Sequence, residues 1–481
     1  SLYRMLSAGS EPFTLNNISG FLELSLGLSA WKASAGGKWS LRINPSSGNL
    51  HPTEAHLILP ELDKLKAGVY HYNPLLHALE LRAEVPNKLW QSISTHFGTS
   101  GFLIALSSIF WRESWKYGER AFRYCNHDVG HALAGISFSA GLQGWRTTFL
   151  NALSDDAIET ILGFDRTDWL PREEEHPDLL CFVSGNQVQD IPRYLPDNIV
   201  EAFSELPFGG TPNRLSRERV DWQMIYKTAD LTCKPTTDEE KYDFSAKPFL
   251  EIAGSALTAA EIIRKRRSAT SFNPEGVIDK NRFFAILDKT LPRNGCRPFD
   301  IQLGDPSVNL LLFVHNVKEL ERGLYFFLRD RKDMLSIRNN FHPDFAWQQI
   351  SDTLPLYLLQ SGDFRHEAIQ LCCHQEIAGY STFSLGMIAR FSETVRCAPY
   401  LYRHLFWESG MIGQVLYLEA EAQGLRGTGI GCYFDDPVHE LLGLQSNNWQ
   451  SLYHFTIGLP VEDPRLTTLP PYSHIENMKN K

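Results

Sequence analysis

Ala140-Gly-Leu-Gln-Gly-Trp-Arg-Thr-Thr148 and Ala420-Glu-Ala-Gln-Gly-Leu-Arg-Gly-Thr428 agree at five positions of nine, 280 residues apart. Extended without gaps, residues 116–163 lie over 396–443 with 11 identities in 48 positions, among them Arg123/Arg403, Gly130/Gly410, Asp155/Asp435, Asp156/Asp436 and Gly163/Gly443. Average residue usage gives about three by chance. Farther out, Cys181-Phe-Val-Ser-Gly185 pairs with His454-Phe-Thr-Ile-Gly458, and Gly68-Val-Tyr-His-Tyr72 with Gly323-Leu-Tyr-Phe-Phe327. The chain reads as a diverged tandem duplication, so each motif is weighed against its counterpart.

Both halves give the same coarse pattern. A first helix is expected over 15–31 and again over 259–268, followed by strands near 56–59 and 311–315 and the Gly-Val-Tyr or Gly-Leu-Tyr strand. A long helix, small and apolar all round and therefore buried, is expected over 120–142 and 400–422. A glycine closes it and a last strand ends the half. The expected class is α+β, with helices layered on an antiparallel or mixed sheet. Residues 1–190 and 251–481 form the expected domains, and the Pro/Gly-rich, then charged, stretch 191–250 is the expected linker.

The 481 residues are 43% hydrophobic and 21% charged, which excludes global disorder. With 46 Lys+Arg against 56 Asp+Glu, the net charge of −10 argues against nucleic acid or an anionic membrane as a partner. No apolar run approaches the roughly 18–20 residues of a spanning helix, and the first 30 residues lack a signal pattern, so a cytoplasmic protein is expected. The eight cysteines contain no CxxC pair and are expected to be reduced. His127 and His131 sit one turn apart without further ligands, and Cys372-Cys373-His374 are adjacent, so no metal is expected.

Three motifs carry chemistry, each in one half only. Arg264-Lys-Arg266-Arg267-Ser268-Ala-Thr-Ser271-Phe272 offers four cations and three hydroxyls suited to a terminal phosphate, whereas the counterpart stretch 26–31 keeps a serine and has no arginine. Pro45-Ser46-Ser47-Gly48-Asn49-Leu50-His51-Pro52 is a stiff, donor-rich loop able to bring backbone close to a flat ligand. Arg426-Gly427-Thr-Gly429-Ile-Gly431-Cys432 has three glycines at alternate positions, and its counterpart from Arg146 has none. One working site and one decayed site are expected.

Arg266-Arg267-Ser268 with Phe272 resembles the phosphate-binding signature of the nitroreductase superfamily of FMN enzymes, and Pro45-Ser46-Ser47 with Asn49, His51 and Pro52 resembles its flavin loop. Thr270 and His51 depart from the family pattern, which has Arg and Gln there. In that family two protomers form a domain-swapped dimer with FMN in the interface. The resemblance therefore implies an intramolecular pseudo-dimer with FMN as cofactor. It also implies that Gly429, Gly431 and Cys432 lie near the flavin ring, where a backbone N–H polarises it for hydride transfer.

Trp115-Lys116-Tyr117-Gly-Glu-Arg120 resembles the SagB-type azoline oxidases, which aromatise heterocycles in ribosomal peptides. The resemblance implies Lys116 and Tyr117 as proton acceptor and donor, since aromatisation removes a Cα proton as hydride leaves. Their counterparts are Arg396 and Cys397, so this chemistry is single-copy. A small-molecule or modified-peptide substrate is expected. Two alternatives stand beside the oxidase: an NAD(P)H-dependent nitro or quinone reductase, and a flavin-binding protein without turnover.

Overall fold

The structure is a computed structural model that describes residues 2–4, 9–185, 190–245, 247–250 and 255–475. The chain divides into two compact units. The first comprises Ser1–Asp243, Asn294–Leu303 and Thr467–Lys481, and the second Phe244–Arg293 and Gly304–Leu466.

In the first unit the strands are β1 Leu28–Ser34, β2 Gly37–Arg42, β3 Thr53–Leu59, β4 Gly68–Asn73, β5 Ala78–Glu84, β6 Gly101–Ser108, β7 Trp145–Phe149 and β8 His176–Gly185. The second unit has β9 Val308–Val314, β10 Gly323–Phe327, β11 Gln348–Gln349, β12 Leu356–Ser361, β13 Phe383–Arg390, β14 Arg426–Ile430 and β15 Trp449–Gly458, and β16 Thr467–Leu469 returns to the first. The six-stranded sheet of the first unit runs β5-β4-β3-β6-β8-β7, and the second unit repeats that order as β12-β10-β9-β13-β15-β14 with β11 added at the edge. All pairings in both are antiparallel.

Irregularities recur with the order. The register shifts between Val69 and Tyr70 and again, 255 residues on, between Leu324 and Tyr325. In both places the tyrosine hydroxyl donates to a carbonyl four residues earlier, Lys66 or Glu321. A left-handed Gly163 caps helix Asp155–Leu162, as Gly443 caps Asp435–Leu442.

The long helices are Ala121–Leu142 and Leu401–Ala422, buried along nearly their whole length as their composition predicts. The first helix is shorter than expected. Thr14 caps it by accepting from the Asn17 N–H, it ends at Ser25, and residues 28–34 pair as β1 with β2 and β16. Its glycine exit is steric, since a Cβ on Gly27 would meet the Glu23 carbonyl at 2.8 Å and the Tyr472 hydroxyl at 2.9 Å.

The stretch expected as a linker carries helices Asp197–Ser204 and Gln223–Leu231, and Ile199, Phe203 and Leu206 enter the first unit's core with Ile161 and Phe182. Residues 294–303 also belong to the first unit. The buried Arg297 there lies against Gly141 and donates to the carbonyls of Arg4 and Trp145, ties invisible to a boundary drawn from composition. Among the described residues no helix is long and apolar enough to cross a membrane.

Candidate active site

Loop 45–52 is held in an unusual backbone path. A 3-10 turn spans Ser47–Asn49, and Gly48, Asn49 and His51 all have positive φ, at 59°, 60° and 53°. Glycine adopts this freely and asparagine tolerates it, but His51 requires support. That support is present: its N–H donates to the Ser46 hydroxyl at 2.8 Å, its Nε2 bonds Asn49 Oδ1 at 2.8 Å, and its carbonyl accepts from Arg112 at 3.0 Å. The Asn49 amide also donates to the Ser40 carbonyl. Asn49 and His51 thus shape the loop with their own side chains.

Helix Trp111–Tyr117 delivers the Lys-Tyr pair directly onto this loop. It ends at Gly118, whose φ of 58° stops it, with the Trp222 ring packed on the glycine. A Cβ placed on Gly48 would lie 2.5 Å from the Tyr117 hydroxyl and 3.0 Å from Lys116 Nζ. Lys116 Nζ stands 5.1 Å from the Tyr117 ring centre, and Tyr124 meets that ring edge-on. Glycine at 48 is what lets the pair and the loop backbone approach.

Two residues that the sequence reading passed over complete this group. Glu113, one turn before Lys116, is fully buried, and Ser46 donates to its Oε1 at 3.3 Å. Burial, reinforced by the charge of Asp128, pushes its carboxyl up to about 10. Asp128 on the long helix is buried as well. Burial drives its carboxyl well up, against hydrogen bonds from Ser46 and the Ser47 N–H and the charge of Arg42.

In the second unit a Thr258/Glu261 capping box starts helix Ala259–Lys265, which ends before the arginine pair instead of running to Ser268 as expected. Arg266 leaves it with extended backbone (φ −49°, ψ 124°), and Ser268 then pairs with Gly427 beside β14. The Tyr417 hydroxyl gathers this corner, bonded to Ser268 Oγ at 2.9 Å and accepting from the Gly429 N–H at 2.9 Å, with the Arg266 guanidinium 5.0 Å from its ring. Burial and the neighbouring Arg266 charge lower Arg267 to about 10. Two guanidinium groups crowded out of water in this way suit a dianion such as a phosphate.

The glycine run has a more local cause than expected. A Cβ on Gly427 would meet the Phe455 ring at 2.5 Å, and one on Gly429 the Tyr453 hydroxyl at 1.9 Å. Both glycines are needed by β15 itself, and the Gly429 N–H is committed to Tyr417. Gly431 and Cys432 follow the strand, with Cys432 exposed and its carbonyl accepting from Gln375. The structure therefore gathers Pro45, Ser46, Ser47, Asn49, Lys116 and Tyr117 in the first unit, and Arg266, Arg267, Ser268 and Gly429 in the second.

No family model matches the sequence. Over 157 residues, 32% of this chain and 76% of the relative, it is 26% identical to a Methanocaldococcus jannaschii protein named as a nitroreductase. The crystal structure of an Anabaena variabilis protein, also named as a nitroreductase, superposes with a TM-score of 0.69 over 96% of this chain and 94% of that one, at 22% identity. The chain shares the fold of that Anabaena protein. A third protein similar to this chain is the trifolitoxin-processing protein of Rhizobium leguminosarum bv. trifolii, 30% identical over 133 residues. That match spans 25% of this chain and 35% of the relative.

Proposed function

We propose that this protein is a nitroreductase-superfamily, FMN-dependent dehydrogenase of the SagB type, acting on an azoline-type heterocycle in a modified peptide or a related small molecule. One observation carries the reading: Lys116 Nζ and the Tyr117 hydroxyl lie against the backbone of Gly48, in the loop that resembles the family's flavin loop. The partial likeness to a peptide-toxin processing protein favours a peptide-derived substrate.

FMN, when bound, supplies the hydride acceptor. Arg266, Arg267 and Ser268 are proposed to take its phosphate, and residues 45–49, with Gly429, Gly431 and Cys432, its ring. Lys116 receives the proton from the substrate carbon as the hydride departs, and Tyr117 donates to the heteroatom side of the ring. Removal of one hydride and one proton converts azoline to azole and balances the step. Each recognition element occurs once, so one FMN per chain is proposed, and the shared strand order and recurring register shifts support descent by tandem duplication.

Anaerobic mixing of flavin-loaded protein with an azoline peptide or with NADPH tests the reading. Bleaching by the peptide alone is the expected result. Bleaching by NADPH alone would replace it with a nitro or quinone reductase, and bleaching by neither with a flavin-binding protein. Flavin released from denatured protein should approach one per chain, and a value near two would overturn the single-copy argument.

A further inference from the structure

The wall behind Lys116 is an acid facing an acid. Glu113 is fully buried and Asp128 nearly so, and Glu113 Oε2 and Asp128 Oδ2 each have no hydrogen-bond partner among the described residues. Ser46 touches both carboxyls. Its oxygen already accepts from the His51 N–H, and a hydroxyl has one hydrogen, so it can donate to only one carboxyl at a time. Asp128 also accepts from the Ser47 N–H and feels Arg42 on β2. Glu113 has neither.

Proton counting follows from that inventory. With Ser46 the one donor they share and no cation on the Glu113 side but Lys116, both carboxylates cannot stay ionised in this buried pocket. A proton resting on Glu113 satisfies an orphaned oxygen and removes the repulsion. The other titratable neighbours do not change this result. Cys125, one turn before Asp128 on the long helix, is pushed up by burial and by Glu113, Asp128 and Asp178, so it stays an uncharged thiol. The remaining titratable group that Glu113 feels is Lys116, one helical turn away.

We propose that Glu113 is a positioning residue for the dehydrogenation, ionising as Lys116 takes up the substrate's proton so that the wall behind the base stays charge-balanced through turnover. This rests on the oxidase reading above. To take the proton, Lys116 must enter the step as a free amine, with the proton of the acid pair on Glu113. As the Cα–H bond breaks, its proton forms the fourth bond to Lys116 nitrogen and its electron pair becomes the new ring double bond, while the hydrogen of the adjacent carbon leaves with its own pair as hydride to the flavin. Glu113 then releases its proton to water and becomes the carboxylate counter-ion of the new ammonium. One proton enters the group and one leaves it.

The test joins a spectroscopic and a kinetic readout on the full chain with FMN bound. Infrared difference spectra of the resting protein should contain a buried carboxylic-acid C=O band that Glu113→Gln removes, and single-turnover reduction by an azoline peptide should remove it in the wild type. Glu113→Gln should keep its flavin, lower single-turnover bleaching by ~10–100-fold, less than loss of the base itself, and flatten one limb of its pH profile. Asp128→Asn, which lifts the repulsion, should weaken the resting band and serves if Glu113→Gln does not fold. A missing resting band overturns the proposal whatever the substrate. An unchanged rate and pH profile in Glu113→Gln overturns it while leaving the oxidase reading intact. Bleaching by no azoline peptide removes that reading and the proposal together, even with the band present.

Discussion

The same position on the long helix is acidic in both units and is handled in opposite ways. In the second unit it is Glu408, which pairs with the buried Arg329 and accepts from the Ser307 N–H. In the first it is Asp128, whose surroundings hold Ser46, Ser47 and a second buried acid, Glu113. Counting back 255 residues from Arg329 reaches Pro74, so the arginine has no equivalent, and Glu113's own counterpart, Glu393, is exposed. One unit neutralises its buried acid with a cation. The other sets two buried acids against each other, with a proton on Glu113, beside the lysine and tyrosine that the second unit lacks. A buried charge that is paired serves the fold, whereas one left to shift its protonation is free to serve chemistry.

The largest expected effect breaks the paired side of this contrast. Arg329→Met leaves Glu408 buried without its cation and should cost about 3–5 kcal/mol, read from denaturant unfolding. Asp128→Asn removes one of two facing acids and should change stability by no more than about 1 kcal/mol in either direction. Equal losses would show that the two acids are held alike.

A smaller effect is expected at the proposed phosphate corner. Arg267→Ala deletes a charge-assisted contact worth about 1.5–3 kcal/mol and should weaken FMN binding by ~10–100-fold in a titration of apoprotein followed by flavin fluorescence. The corresponding stretch 26–31 has no arginine, so Lys32→Ala just beyond it should leave that affinity unchanged.

The smallest effect is a pH dependence confined to the first unit. Burial works against a charge on His71, but hydrogen bonds to Glu54 and Glu80 and the charges of Glu54 and Glu175 lift it to about 9. Burial also works against Glu54, yet Arg112 and His71 hold it well below the usual carboxylate range. The raised His71 contributes stability that is full below about pH 6.5 and lost as pH rises through about 9. Glu54 contributes above the ordinary carboxylate range and loses its contribution on acidification. His71→Gln should therefore cost about 1–3 kcal/mol at pH 6 and progressively less towards pH 10. The counterparts are Phe326 and Asn309, so Phe326→Leu should show no such dependence.

Much of this was legible before the structure, because periodicity and glycine placement report directly on packing. Both long helices and the paired strands after Gly68 and Gly323 follow from local pattern plus the sequence repeat, and the gathering of Lys116 with loop 45–52 from the family resemblance. The strand at 28–34 was hidden because its partners are a hairpin and a segment more than 400 residues away. Glu113 and Asp128 were hidden for a related reason. A lone acid on an apolar helix looks like an exception until its neighbour is known, and here the neighbours lie on another helix and a loop. One signal was available: acids stand at both 128 and 408, but as Asp and Glu they escape a search for identities. The glycines at 427 and 429 mislead in the other direction, since close packing on Phe455 and Tyr453 and an open ligand face leave the same trace in sequence.

The most direct test of a single-copy chemical centre is single-turnover flavin bleaching by an azoline peptide in Lys116→Ala beside Arg396→Ala, the change at the counterpart position. With flavin content equal in both, Lys116→Ala should lose ~10²–10⁴-fold in rate, and Arg396→Ala should match the wild type. Wild-type bleaching in Lys116→Ala, or an equal loss in both variants, would contradict the account.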